Sequence, residues 1–208
     1  MSGKLKATRA VFLNFPFDVR YRNLYLALIA GTTALGMKPR CVLEIETTTD
    51  RLNRLLKLIS SCQYSIHDLS RVQLDAAAPR CPRFNMPFEL GLTLARTGKL
   101  DPNHHWIVLE ERPYRIQKSL SDLNGYDPYI HNGTVTGLLQ VLKNAFHNPV
   151  VSVADMKTVY TLLQLSAKGL KSENDWPDLY GAEAFRQLAL MANKISGELR
   201  SLVNLDGL

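Results

Sequence analysis

Much that would narrow the function of this chain is missing from it. No apolar run reaches the roughly 20 residues of a membrane-spanning helix, and no signal-like hydrophobic stretch precedes Val11. A cytoplasmic location without membrane contact is the expectation. The three cysteines, Cys41, Cys62 and Cys81, are isolated and odd in number, which argues against a disulfide framework and against a zinc or other metal site. Reduced thiols agree with a cytoplasmic address. There is no G-x-G-x-x-G and no Walker phosphate loop, so a Rossmann hydride-transfer enzyme and an ATPase are both disfavoured. Arginine-rich runs, aromatic-basic motifs and zinc fingers are absent too, and nucleic acid is not an expected partner.

What is present is a globular composition. The 208 residues are 46% hydrophobic and 21% charged, enough for one full core and an appendage. The net charge of +6 is uneven: residues 1–149 hold 19 Lys+Arg against 12 Asp+Glu, and residues 150–208 hold 6 against 7. A basic first part favours a phosphate-bearing ligand, although a scattered surplus of this size also serves solubility.

Short apolar runs alternate with helical patterns along that first part. Residues 1–9 read as a polar arm. Ala10 to Asn14, Pro39 to Ile45, Tyr64 to Leu69, His105 to Glu110 and Tyr129 to His131 read as five strands, the first of them continuously apolar as in a sheet buried on both faces. Helices are expected over Arg20 to Leu35, with Asp18 as its cap, over Asp50 to Ser61, capped by Thr48 or Thr49, and over Asn85 to Thr97, ended by Gly98. Further helical patterns cover Tyr114 to Asp122 and Thr134 to His147. The expected fold class is α/β: a three-layer, doubly wound parallel sheet of flavodoxin-like outline with a C-terminal helical extension. Ligands bind such sheets beyond the carboxyl ends of the strands, which directs attention to Asn14 to Asp18, to Glu44 and Glu46, and to Asp68 to Arg71. The loop from Ser70 to Phe84 is longer than usual connections and carries Arg71, Asp75, Arg80 and Arg83, either as a lid over a ligand or as an insertion packed on the surface.

The stretch Arg83-Phe84-Asn85-Met86-Pro87-Phe88-Glu89-Leu90-Gly91 is the centre of this pattern. Asn85 suits an N-cap, Pro87 a first turn, and Phe88, Leu92 and Ala95 recur at helical spacing. Glu89 stands outside that stripe on a segment too apolar for a surface helix. The positive helix end favours its ionised form by up to about 1 kcal/mol, which suits a nucleophile or base. With Asp68 ending the preceding strand, two carboxylates could meet in one cavity, an arrangement suited to glycosyl chemistry; a loop-orienting cap is the alternative for Asp68. Phe12, Phe15, Phe88 and Trp106 read as core, and His104-His105 as a solvated pair.

Ile66-His67-Asp68-Leu69 followed by Asn85 to Ala95 resembles the nucleoside 2-deoxyribosyltransferases, and in outline the TIR-type NAD-cleaving domains, over roughly Val11 to Phe146. The resemblance implies a catalytic Glu89 and a ribose-orienting Asp68. It also implies substrate contacts in the region of Phe17, Asp18 and Tyr21, and Asn14, at the end of the first strand, is a candidate contact at the same rim. Arg71 and Arg83 fit a phosphorylated ligand at the rim, and Asn85, at the start of the helix, is a further candidate for substrate contact. Deoxyribosyltransferases usually carry another acid before the glutamate, where this chain has Arg83 and Asn85, and TIR domains often have a tryptophan-cysteine pair where it has Met86-Pro87-Phe88. The lost acid disfavours exchange of a neutral base and favours a good leaving group such as cationic nicotinamide. The expectation is a nucleotide N-glycosidase that needs no cofactor, with NAD or another nucleotide as substrate; the alternative is a nucleotide-binding sensor of the same fold without turnover.

Residues 150–208 are set apart from residues 1–149 as an extension. Asp155 to Leu170 and Ala182 to Val203 read as a helical hairpin, with Leu162, Leu165, Leu188, Met191 and Ile195 as its seam. Apolar stripes beyond a two-sided sheet domain favour a homo-oligomer contact through this hairpin over packing on the domain.

Overall fold

The computed structural model describes residues 9–45, 50–72, 81–97 and 101–205. The expectations for residues 1–8, Glu46, Thr48, Thr49, Asp75, Arg80 and Gly98 fall outside the described residues. Five strands, β1 (Arg9–Asn14), β2 (Met37–Cys41), β3 (Tyr64–Asp68), β4 (His105–Glu110) and β5 (Tyr129–Ile130), form one all-parallel sheet in the order β2-β1-β3-β4-β5. Helices α1 (Arg22–Ala34), α2 (Arg51–Ser60), α3 (Asn85–Arg96), α4 (Arg115–Ser119) and α5 (Val135–Phe146) connect and cover it. This is the expected three-layer α/β fold. Its strand order reverses between β1 and β3, which opens a crevice at their carboxyl ends.

Strand parity divides the sheet into two chemical surfaces. Val11, Leu13, Ile66 and Leu109 face α1 and α5 in the main core. Phe12 faces α2 with Leu55, Leu58 and Ile59, and Val108 faces α3 with Met86 and Leu90. His104, expected to be solvated, is buried: it bridges the Ser65 hydroxyl at 2.8 Å and the Cys62 carbonyl at 2.9 Å, tying β4 to β3. β2 ends at Cys41, earlier than expected, because the Glu44 carboxylate folds back onto the Cys41 amide at 3.0 Å and tightens Val42–Glu44 into a 3-10 turn.

Helices α6 (Val153–Glu173) and α7 (Ala182–Leu205) take up the less favoured of the two expected arrangements, packing on the sheet domain. Both pack on α1, and α6 also packs on α5. Met156, Val159, Leu163, Leu188 and Ile195 thereby join the main core, whereas Leu162 and Leu165 point outward. The cause lies in α1, of whose 13 residues 11 are buried. A helix that is apolar all round needs cover on every side, and the C-terminal pair supplies the side that the sheet and α5 leave open. Gly31 lets α5 approach α1 closely, since a Cβ there would meet Leu139 at 3.0 Å and Leu142 closer still, at 2.6 Å. No helix among the described residues is long and apolar enough to cross a membrane.

Candidate functional site

At the carboxyl end of β1 a cavity of about 540 Å³ opens between the α2 and α3 sides of the crevice. Asn14, Phe15 and Phe17 form one wall, Val42 and Arg51 a second, and Cys81 to Met86 with Glu89 the third. The candidate residues Asn14, Phe17, Arg83, Asn85 and Glu89 are thereby brought together on one cavity. Arg51, Phe84 and Cys81 were not foreseen, although Arg51 follows β2 at the same rim and was open to the same inference.

Glu89 occupies the inward face of α3. The buried stripe is Met86, Glu89, Leu90 and Thr93, whereas Phe88 is about half exposed. Residues 86–95 are apolar nearly all round, so helical spacing admits either stripe and only the packing on Leu69, Val108 and Ile116 selects one. Asn85 is the first helical residue rather than the cap, and Phe84 at the cap position makes no side-chain bond. Glu89 is 8% exposed and its Oε2 is buried without a hydrogen-bond partner. Burial pushes its pKa up to about 8, against a smaller downward pull from Arg51. Desolvation of this carboxyl thus outweighs the helix end that was expected to favour its ionised form, and holds it toward the protonated form at neutral pH.

Asp68 is on the other face of the sheet. His67 pairs laterally with Asn14 on the α3 side, so the next residue along β3 must point toward α1 and α5. There Asp68 is wholly buried and takes bonds from the Tyr21 hydroxyl, the Ser70 hydroxyl and the Ser70 amide at 2.8 Å, with His131 Nε2 3.2 Å away. His131 Nδ1 accepts the Gly133 amide at 3.1 Å, which leaves the ring proton on Nε2, facing Asp68 and Ser70. Burial pushes the Asp68 carboxyl up, but the hydrogen bonds of His131, Ser70 and Tyr21 hold it below its usual value. Gly137 is required behind this cluster, because a Cβ there would overlap the His131 carbonyl. Neither Asp68 nor Tyr21 lines the cavity, and the expectation that the two carboxylates share it is wrong.

Asp18 and Arg71 are likewise committed to structure. Asp18 Oδ1 caps the turn Val19–Tyr21 through the Arg20 and Tyr21 amides, at 2.9 and 3.1 Å. Its Oδ2 receives Arg83 at 3.0 Å and Arg71 at 3.3 Å. The loop bearing Arg83 is thereby latched across the cavity to the loop after β1. From behind, the connection between α6 and α7 clamps that same loop. The Tyr180 hydroxyl donates to the Asp18 carbonyl at 2.6 Å, and its ring lies 5.8 Å from Phe17 and 5.1 Å from Tyr25.

A hollow of about 690 Å³ between β2 and α7 is larger. However, its Glu44 is held by Arg40 at 2.8 Å, while Arg186 and Arg200 bond within α7. Among the described residues its walls carry no unpaired acid and no imidazole, whereas the first cavity holds Glu89. Among the described residues no group of three acidic, histidine or cysteine side chains could hold a metal ion.

No protein-family model matches the chain, and no solved structure does so significantly. Among curated proteins it is similar to a uroporphyrinogen decarboxylase of Dechloromonas aromatica (strain RCB), 28% identical over 153 residues. The match covers 72% of this chain and 39% of that protein. The chain thus spans about two fifths of the relative's length, and the likeness carries no family assignment.

Proposed function

We propose that the chain is a nucleotide N-glycosidase that cleaves the bond between ribose and a cationic base, as in NAD, with Glu89 stabilising the anomeric carbon. The single observation that carries this reading is Glu89 itself, an unpartnered, buried carboxyl on the wall of a ligand-sized cavity. The mouth supports it. Arg51 opens α2 and Arg83 precedes α3, so two guanidinium groups accompany two helix N-termini, a setting for phosphate. Phe17 and Phe84 offer exposed rings for a base. Negative charge is favoured at the mouth and positive charge at depth, the polarity of a dinucleotide that ends in a pyridinium.

The cavity has one carboxyl rather than two, which sharpens the choice of leaving group. A neutral base needs an acid to protonate it and a second group to meet the developing oxocarbenium ion. A cationic base leaves with the electron pair of the C1′–N bond unaided, and one carboxylate suffices. A cation brought against Glu89 also draws its proton off, so the group ionises where its charge is needed. Water then adds at C1′ and releases a proton. The test is to incubate the protein with NAD and a panel of nucleosides and nucleotides and follow free base by chromatography. Release from pyridinium nucleotides in preference to neutral ones is expected, and release from none of them overturns the reading. A sensor without turnover is the second reading, favoured by the Tyr180 clamp that joins the cavity loop to the C-terminal helices; it predicts tight nucleotide binding with no free base.

A further inference from the structure

Asn14 closes β1 and lines the cavity that holds Glu89. Its amide nitrogen donates to two acceptors, His67 Nδ1 at 2.9 Å and the Met86 carbonyl at 2.8 Å. A flipped amide would set oxygen against the Met86 carbonyl oxygen, two acceptors face to face, so the orientation is determined. With both amide protons committed, Oδ1 is the polar atom of Asn14 left to meet a ligand. His67 is wholly buried against the edge of Phe12, 6.0 Å between centroids. Burial takes its pKa down to about 3, so the ring is neutral, and the bond from the Asn14 amide to Nδ1 puts its single proton on Nε2. Its Nε2 has no partner. A buried imidazole that leaves one nitrogen unsatisfied is not there for its own hydrogen bonding; what it does is aim Asn14.

We infer that Asn14, oriented by His67 and by the first turn of α3, accepts a hydrogen bond from a ribose hydroxyl beside the scissile bond. It thereby takes the sugar-orienting role that the sequence resemblance assigns to Asp68. The inference deepens the nucleotide reading above and rests on it. Met86 and Glu89 lie three residues apart, on neighbouring turns of one helix face, so the carbonyl that fixes Asn14 and the carboxyl that meets C1′ move as one body. The sugar is then registered from β1 and from α3 together. Oδ1 accepts and cannot donate, so it selects a hydroxyl, and a sugar lacking that hydroxyl leaves it desolvated and unpaired. Asn14 is a specificity-determining residue in this scheme and His67 a positioning residue.

The test uses NAD and two analogues, deoxygenated at the 2′ or the 3′ position of the nicotinamide ribose. Dissociation constants are measured in a Glu89→Gln background, where turnover does not interfere, and base release is measured separately in the parent. Loss of one of the two hydroxyls should weaken binding about tenfold when Asn14 is present, the size of one well-made hydrogen bond. In Asn14→Ala the same deletion should cost less than about twofold, whereas a purely structural role would weaken all three ligands alike. His67→Phe should retain an intermediate discrimination, and it carries the test if Asn14→Ala does not fold. Discrimination that survives unchanged in either variant overturns the inference while leaving the glycosidase reading intact. Base release absent from the parent, with discrimination lost in Asn14→Ala, overturns the glycosidase reading and leaves Asn14 in its role. Failure to bind any of the three ligands overturns both.

Discussion

Asp68 and Glu89 stand at the same rim of one sheet and on opposite faces of it, and their surroundings differ in kind. Asp68 is held by two hydroxyls, a backbone amide and an imidazole, and its carboxyl is pulled below the ordinary range. Glu89 has a buried oxygen with no partner, and its carboxyl is pushed up to about 8. Folding stabilises the first as an anion and strains the second against becoming one. A carboxylate already saturated by the protein has little left to offer a substrate, whereas an unsatisfied one on a cavity wall is stabilised by whatever cation arrives. Asp68 is therefore a structural hub, whereas Glu89 is the carboxyl left open to a ligand and, under the function proposed above, the reactive group.

The largest effect should come from breaking the hub. Asp68→Ala leaves the Tyr21 hydroxyl and the Ser70 amide and hydroxyl as buried donors without their acceptor, and should cost about 3–5 kcal/mol in denaturant unfolding. Asp68→Asn, which keeps the shape, should cost less. Because the folded carboxyl titrates below its unfolded value, this stability is present above pH 4 or so and is lost as the pH falls through the lowered value. A loss under about 1 kcal/mol for the alanine variant would show that the cluster is not a hub.

Glu89→Gln should have the opposite profile. Removing the charge while keeping the shape should lower base release at least about a hundredfold, roughly 2.7 kcal/mol of transition-state stabilisation, and leave the fold intact. Equal rates for parent and variant would remove Glu89 from the chemistry.

The titration of Glu89 ties the two properties together with opposite signs. Its folded pKa is raised from 4.5 to about 8, so the native state holds a proton that the unfolded chain releases between those values. The Tm of the parent should accordingly fall as pH rises from about 4.5 to about 8 and level off above, and Glu89→Gln should lose that slope. Over the upper part of the same window kcat/KM for a pyridinium nucleotide should rise to a plateau above about pH 8, since it reports ionisation of the free protein. A rate that falls through this range would mean that Glu89 acts as an acid, and with it that the leaving base is neutral.

The sheet and its helices were legible because short apolar runs and apolar helical spacing survive in the sequence, and the meeting of Glu89, Asn14, Phe17 and Arg83 at one cavity was legible because strand ends and helix starts converge in this fold. Asp68 was misread by one residue of parity. Its neighbour His67 is the one that shares a face with Asn14 and Glu89, and nothing but the β1–β3 register shows which. The state of Glu89 was misjudged because the helix-end effect, at most about 1 kcal/mol for an accessible group, is small beside the desolvation of a buried carboxyl. The C-terminal pair was set apart although α1 already announced a missing cover: L-Y-L-A-L-I-A-G has no polar face to give to water.

That cover also joins the two regions, and the smallest effect should appear at the joint. Tyr180 comes from the connection between α6 and α7 on the α1 side, yet its hydroxyl holds the Asp18 carbonyl and its ring faces Phe17 on the cavity wall. Tyr180→Phe keeps the ring, removes one hydrogen bond and should cost about 0.5–1.5 kcal/mol of stability. If the clamp presets the loop for ligand, part of that cost reappears as ordering on binding, and NAD affinity should weaken about two- to fivefold. An affinity unchanged while the Tm falls would confine Tyr180 to the hub's side of the comparison, and the cavity loop would owe its shape to Asp18, Arg71 and Arg83 alone.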